Sequence, residues 1–476
     1  QELLPNVNRY FRDATGTSKP YGLDGPLTAW VNDVNNNGVI YGSSGGLETD
    51  ESIYLYVGMR RGGQDYYALD VTNRSAPKLM WQIKGGAGDF TELGESWSKP
   101  TFAKVKWGCS DAKGSGCSVK NVLFFTGGYD SNQDATSLPI DDLIGRAIYM
   151  VDAETGSLLW SAGNGSGHTV NLSTMKNSFP SDVTIGDLNA DGYADVLFAV
   201  DINGRMWRMD FNHSTQSESN FYVSGGIIAE LGSSNTSLDS ETRRFFNKPN
   251  VVFFNPTGAA SFLAIGVGSG YRASPLNTDV KDRFYVIKDL HPSSPPSSYD
   301  YAGSLPLRYS DLYDATDNLV QDGSSSQQTT ALDSLRTGNG WYINLDSGGE
   351  KVLSDSTTFA GALIFTTFSP SATTTSACGP DVGQGKVWVV NMLTGAAVFN
   401  LNNDVSEIKD RSMALLHGGL PPSPSIIFAA NPGPDNGNPS EVRSGTAAIT
   451  VIGTEAFDFL KDVSPISTLY WRVENE

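Results

Sequence analysis

A short module of apolar strands and tight turns recurs along the chain, and it restricts the available folds more than any other feature. One copy runs Ile53–Gly58, Tyr66–Asp70 and Leu79–Ile83. A second runs Val122–Gly127, Ala147–Asp152, Thr155-Gly156 and Leu158–Trp160, and a third compresses the scheme to Val196–Val200, Asn203-Gly204 and Met206–Asp210. Weaker copies follow at Phe262–Gly266 with Arg283–Asp289, at Gly361–Phe365 with Lys386–Asn391, Thr394-Gly395 and Ala397–Phe399, and at Ile426–Ala429 with Ala447–Ile452. Most copies read as buried strand, loop, strand ending in Asp or Asn, tight turn, and often an aromatic strand. A lone sheet of such strands cannot bury both faces, whereas radial stacking of several sheets buries them and hides most edges. The expected fold is all-β, a β-propeller. Six copies are visible, and weak segments near 25–50 and 225–255 are expected to complete a seventh; a pair of β-sandwiches is the alternative.

Helix-period stretches are scarce, and Ser237–Asn247 is the best short candidate. Pro292–Gln328 and Ser369–Gln384 read as long inter-strand insertions rich in Ser, Pro, Asp, Gln and Thr. No composition shift divides the chain, so residues 1–476 are expected to form a single domain. Hydrophobic residues at 39% and aromatics at 11% supply a large core and exclude disorder as the dominant state. A net charge of −19 repels phosphate backbones and anionic membranes, which argues against nucleic acid as a partner. No apolar run approaches the 18 residues or so of a membrane span. Charged residues are only 18%, and uncharged polar residues are expected to solvate the outer faces of an extracellular β protein. The chain begins at Gln1 without a charged-then-apolar leader and is expected to be processed or excised, with any targeting signal outside it. Cys109 and Cys117, eight positions apart in a Gly/Ser/Lys loop, could be closed by a local bridge in an oxidising compartment, and Cys378 is left over as an unpaired loop cysteine.

The stretch that carries chemistry is Asp187–Asp195. Side-chain oxygens fall at positions 1, 3, 5 and 9 of this loop (Asp187, Asn189, Asp191, Asp195), Gly192 stands at position 6, and Tyr193 at position 7 offers its backbone carbonyl. This is the first part of a calcium loop of the EF-hand type, in which Gly permits the sharp turn. The loop departs from an EF-hand in having Phe198 at position 12 and a strand rather than a helix behind it, so Asp195 must serve as the closing ligand. An all-oxygen donor set selects a hard cation, and flexible seven-fold geometry favours Ca2+ over magnesium, at one site. Three carboxylates within about 5 Å repel by roughly 3 kcal/mol per pair at an effective dielectric near 20. No Lys or Arg lies inside the loop to offset that repulsion.

Two echoes of the pattern are weaker. Asp33, Asn35, Asn37 and Gly38 copy its first half, but Tyr41 stands at position 9 and Ser44 at position 12, so this stretch reads as a turn. Asp130, Asn132 and Asp134 lack the glycine. The four histidines (His168, His213, His291, His417) show no metal-ligand spacing and read as loop residues. Gly42–Gly46 formally fits a nucleophile elbow but has no helix to follow it. No catalytic residue is assigned.

Several stretches together resemble the C-terminal region of the PilC/PilY proteins, tip-associated adhesins of bacterial type IV pili. They are Gly58–Gly63 with its Arg60-Arg61 pair, Tyr66–Asp70 and Trp81, Phe125–Asp130, the Asp187–Asp195 loop, and Gly340–Asn344 leading to Phe365–Phe368. The resemblance implies a modified seven-bladed β-propeller, lacking here the family's N-terminal von Willebrand-like half. It further implies export through the periplasm to the cell surface, pilus tip or outer membrane, and cooperation with minor pilins of the type IV pilus machinery. Support of host-cell attachment through a host-cell surface receptor and of surface (twitching) motility, hence virulence, is also implied. The family's calcium loop, implicated in balancing pilus extension against retraction, carries over onto Asp187, Asn189, Asp191, Tyr193 and Asp195. Arg-Gly-Asp, an integrin-binding triplet of some relatives, does not occur in this sequence. Arg60 and Arg61 read either as part of a partner surface or as a structural pair tying neighbouring sheets. Two rivals are a quinoprotein-like propeller dehydrogenase, because Asp152–Trp160 also resembles the sheets of those enzymes, and an integrin-α-like adhesion propeller with several calcium loops.

Overall fold

The computed structural model describes residues 21–457 apart from 41–49, 110–115, 136–139, 212–220, 233–240, 257, 259, 294, 297–298, 300–305, 346–347, 371–381, 402–409 and 431–445. These residues form six sheets. The chain divides into two compact units, 1–263 with 269–274 and 289–311, and 264–268 with 275–288 and 312–476.

In the first unit, Leu27–Asn32, Ser52–Gly58, Tyr66–Asp70 and Lys78–Ile83 make the first sheet. Thr101–Trp107, Ser118–Thr126, Ala147–Asp152 and Leu158–Gly163 make the second, with Val170–Asn171 added in parallel. Thr184–Gly186, Val196–Val200, Arg205–Phe211 and Tyr222–Glu230 make the third, extended in parallel by Leu307–Arg308. In the second unit, Arg283–Asp289 pairs with Gly340–Asn344 in the fourth sheet. Thr357–Phe359, Ala362–Ser369, Gln384–Asn391 and Ser412–Ala414 form the fifth. Ser425–Ala430, Thr446–Ile452 and Glu455–Phe457 form the sixth.

The period-2 alternation of strand side chains explains how the sheets stack. In the second sheet Leu123, Phe125, Tyr149 and Val151 point into a core shared with Tyr56, Tyr66 and Trp81 of the first. Their neighbours Val122, Phe124, Ile148 and Met150 point the other way, into a core shared with Leu197, Ala199, Trp207 and Met209 of the third. The second sheet is therefore apolar on both faces, which is why its central strands read as continuous apolar runs. In the second unit Phe284 stacks on Phe365 at 4.0 Å between ring centroids. Charge buried in the third sheet is paired: Arg208, fully shielded from solvent, donates to Asp210 at 2.7 Å and to Asp289 at 2.5 Å.

Adjacent sheets are pinned by a repeated device. Trp81 Nε1 donates to the carbonyl of Ala153 at 3.1 Å, in the turn after Asp152, and Trp341 Nε1 donates to the carbonyl of Met392 at 3.1 Å, in the turn after Asn391. The two turns are wired alike. Asp152 Oδ1 accepts from Glu154 N and Thr155 N, and Asn391 Oδ1 accepts from Leu393 N and Thr394 N. Each ends in a left-handed glycine, Gly156 at φ 71° and Gly395 at φ 67°, lying under the indole it receives. A Cβ on Gly156 would stand 2.8 Å from Trp81 Cδ2. A second link comes from the first strands: Thr28 Oγ1 donates to the carbonyl of Pro100 at 2.6 Å, and Thr184 Oγ1 donates to that of Pro249.

The structure departs from expectation in several places. The segments near 25–50 and 225–255 do not assemble a seventh sheet among the described residues. Leu27–Asn32 opens the first sheet, Tyr222–Glu230 closes the third meander and Asn250–Phe254 is a separate strand. Residues 242–246 form no helix, and 237–240 lie outside the described residues. The long helix is instead Ser325–Thr337, beginning inside the expected insertion, with a Ser324/Gln327 capping box; Ala331 and Leu335, four apart, are its buried residues. Cys109 and Cys117 form a disulfide. Cys378 and most of the 369–384 insertion lie outside the described residues.

Stability measurements can check both the pinning of the sheets and the burial of charge. Trp81→Phe removes the indole donor and strands the buried Ala153 carbonyl, and is expected to cost about 1–3 kcal/mol in urea unfolding. Gly156→Val, which adds a clash and a left-handed β-branched residue, is expected to cost more. Asp201, wholly buried, has its carboxyl pushed up by burial from 3.8 to about 7. The folded protein therefore holds a proton that the unfolded chain releases near pH 4. Stability is expected to fall as pH rises from about 4 to about 7, and Asp201→Asn to flatten that slope in melts across this range.

Candidate metal centre

The loop 187–195 joins the first two strands of the third sheet, with Gly186 paired to Val196 at its base. Its carboxylates are held by its own backbone. Asp187 Oδ1 and Asn189 Oδ1 both accept from the N–H of Asp191, at 3.1 and 2.9 Å, and Asp187 Oδ2 accepts from Gly192 N at 2.6 Å. Asp191 Oδ1 accepts from Tyr193 N at 3.0 Å. Asp195 reaches back across the loop, its Oδ2 accepting from Leu188 N at 2.7 Å and Asn189 N at 3.3 Å. Left-handed backbone at Ala190 (φ 61°) and Gly192 (φ 86°) lets the chain curl around the side-chain oxygens. Asp187, Asn189 and Asp191 are exposed, while Tyr193 and Asp195 are half-buried.

The five residues singled out from sequence thus share one tight loop. Among the described residues no three carboxylate, histidine or cysteine side chains converge closely enough to hold a metal. A cation at this loop therefore draws on the neutral oxygens of Asn189 and Tyr193 as well. That mixed set of hard donors fits calcium.

Sequence spacing missed one participant. Lys106, 85 residues away on the strand Thr101–Trp107, places Nζ 2.7 Å from Asp191 Oδ2 and 4.9 Å from the centre of the Tyr193 ring. The hydrogen bond to Asp191 raises the lysine's pKa. The repulsion expected to stand without offset is thus partly met by an ammonium from a neighbouring sheet. Both groups are about a third exposed, so the pair contributes about 0–1 kcal/mol. Beside the loop lies a cavity of about 460 Å³, lined by Asp187, Tyr193, Lys99, Lys104 and Lys248 among others.

The remaining candidates have other occupations. Asp130 accepts from Asn132 N and Leu143 N, and Asp134 is clamped by Arg61 at 2.5 and 2.8 Å. Burial opposes the charge on Asp134, but hydrogen bonds from Arg61 and Tyr129 outweigh it and hold its carboxyl below the usual range. Arg60 and Arg61 lie 5.5 and 5.7 Å from the Trp97 ring. Arg61 ties the turn after the second strand of the first sheet to the Asp134 loop of the second sheet, the structural alternative for this pair. His168 Nδ1 stands 3.2 Å from Ser161 Oγ, and His417 Nδ1 stands 3.1 Å from Glu455 Oε1. His291 lends its backbone carbonyl to Arg208. His213 and Gly42–Gly46 lie outside the described residues.

Known proteins resemble this chain in sequence and in fold. Residues 32–242 match the family model of the PilY1 beta-propeller domain. The type IV pilus biogenesis factor PilY1 of Pseudomonas aeruginosa PAO1 is 30% identical over 156 residues, 32% of this chain and 11% of that protein. Its homolog from Xylella fastidiosa Temecula1 is 22% identical over 427 residues, 87% of this chain and 29% of that protein. The chain therefore spans less than a third of the length of these curated relatives. The crystal structure of the P. aeruginosa PilY1 C-terminal domain superposes with a TM-score of 0.55 and 18% identity, covering 91% of this chain and 83% of that one. The chain is thus similar in sequence to the PilY1 beta-propeller domain over residues 32–242 and shares the β-propeller fold of the PilY1 C-terminal domain over most of its length.

Proposed function

We propose that this chain is the calcium-binding propeller of a type IV pilus biogenesis factor and tip-associated adhesin. The observation that carries the reading is the loop 187–195, with oxygen donors at positions 1, 3, 5, 7 and 9 curled by its own backbone hydrogen bonds. Asp187, Asn189, Asp191, the Tyr193 carbonyl and Asp195 hold Ca2+. The ion would supply two positive charges to a loop that carries three carboxylates and fix the turn ahead of the strand Val196–Val200. Lys106 is its competitor. Its ammonium stands 2.7 Å from Asp191 Oδ2, so a cation taking up that carboxylate oxygen would have to displace it. Loading would then shift Lys106 away from Asp191, which couples calcium to a surface that a minor pilin can read. In the full-length protein this surface supports pilus extension against retraction, twitching motility and attachment to a host-cell receptor, at the pilus tip or outer membrane.

Calorimetric titration of chelator-stripped protein with CaCl2 tests the ligand set. Asp187→Ala/Asp195→Ala is expected to abolish binding at this loop with the β-sheet circular dichroism unchanged; unaltered binding would refute the assignment. Lys106→Gln is expected to tighten binding by roughly fivefold, about 1 kcal/mol, because the competing cation is gone. Unchanged affinity in that variant would remove the lysine from the mechanism. At the cellular level, the double variant in the full-length protein is expected to shift the number of surface pili, counted by shear preparation.

A further inference from the structure

We propose that a second divalent-cation site exists in the first sheet, built by Asp33, Asn35, Asn37, the Val39 carbonyl and Glu51. The loop from Asp33 repeats the hydrogen-bond wiring of the loop from Asp187. Asn37 N donates to both Asp33 Oδ1 (3.2 Å) and Asn35 Oδ1 (3.0 Å), as Asp191 N does to Asp187 and Asn189. Gly38 N donates to Asp33 Oδ2 at 2.7 Å, as Gly192 N does to Asp187 Oδ2. Val39 N donates to Asn37 Oδ1 at 2.7 Å, as Tyr193 N does to Asp191. The backbone signs agree too: Asn36 (φ 56°) and Gly38 (φ 76°) are left-handed, like Ala190 and Gly192.

The closing carboxylate is where spacing alone misleads. Position 9 of this loop is Tyr41, yet the part played by Asp195 is taken by Glu51. Its Oε1 accepts from Val34 N at 3.2 Å and Asn35 N at 3.4 Å, the counterparts of Leu188 N and Asn189 N. The placement in the sheet is the same. Asp33 follows Asn32 and Glu51 precedes Ser52, and Asn32 and Ser52 are partners in the ladder. Likewise Asp187 follows Gly186 and Asp195 precedes Val196, again ladder partners.

What turns this from loop geometry into a binding site is the other oxygen of Glu51. The residue is only 3% exposed, and its Oε2 is buried with no hydrogen-bond partner among the described residues, while Oε1 grips the loop. A carboxylate oxygen shielded from water and left bare is costly unless a cation or a donor meets it. A water molecule would satisfy a lone pair of Oε2, but not the charge that Glu51 and Asp33 bring to one loop. A divalent ion neutralises both carboxylates, and the all-oxygen donor set again selects a hard cation. With two carboxylates rather than three, the site is expected to be the weaker of the two.

The test is the CaCl2 titration of the whole chain, with MgCl2 in parallel, on four proteins: the native sequence, Glu51→Gln, Asp33→Ala, and Asp187→Ala/Asp195→Ala. Glu51→Gln keeps an acceptor for Val34 N and Asn35 N while removing the charge, so its metal-free melting temperature is expected to match the native chain. The native protein should bind two calcium ions. Glu51→Gln and Asp33→Ala should each weaken the lower-affinity step by about tenfold or more, leaving the tighter step intact. The double variant should keep the step that Glu51→Gln removes, so failure of the first site does not erase the second. Unchanged stoichiometry and affinity in both Glu51→Gln and Asp33→Ala would overturn the proposal and leave Glu51 Oε2 to water. A single calcium step, lost with the Asp187 loop, would overturn it equally.

Discussion

The fold depends on one contact that a β-sheet cannot make for itself: an indole from one sheet donating into a turn of the next. Sheets of this length, apolar on both faces, gain nothing from standing alone. Once stacked, they could slide, because dispersion between flat apolar layers is poorly directional. The Trp81–Ala153 and Trp341–Met392 hydrogen bonds remove that freedom. Each demands a turn with an Asp or Asn at its start and a glycine under the ring. That requirement fixes the Asp152–Gly156 and Asn391–Gly395 sequences more tightly than strand propensity could. The tryptophans are therefore more than core filler, the role that their spacing alone suggests.

Rigid stacking also explains why the loops between first and second strands can carry chemistry. Their ends are held by ladder pairs, Gly186 with Val196 and Asn32 with Ser52, so the intervening chain starts from fixed anchors. Within each loop, short polar side chains accept from backbone N–H groups and draw their oxygens to the inside of the curl. Stacking further brings Lys106, on the second sheet, to the loop of the third. The electrostatics of the loop is thus shared between two sheets, and a charge count within the loop misses the ammonium.

Legibility in the sequence followed the range of the interaction. Strands such as Ala147–Asp152 and Val196–Val200 were readable to the residue, because a continuous apolar run bounded by turn residues is a local signal. That Asp187, Asn189, Asp191, Tyr193 and Asp195 share one loop was readable because they lie within nine residues. Lys106 and Glu51 were not, since only the fold brings them to their loops. Ser325–Thr337 was missed because it buries little besides Ala331 and Leu335 amid Ser, Thr and Gln, although the Ser324-x-x-Gln327 capping signal was present in the sequence. The paired arginines were seen as a pair, but Asp134, the counter-ion of Arg61, was read as part of a metal echo.

The loop closed by Glu51 runs over 19 residues, against 9 for the loop closed by Asp195. Loop-closure entropy grows only with the logarithm of length, so roughly doubling the loop costs about 0.6 kcal/mol. Extra chain can therefore enter just ahead of the closing carboxylate at almost no thermodynamic penalty, provided the strand behind it still presents that carboxylate to the same two N–H groups. Evolution of such a propeller is free to lengthen its rim loops there, adding surface for new contacts while the wiring at the base of the loop stays as it was.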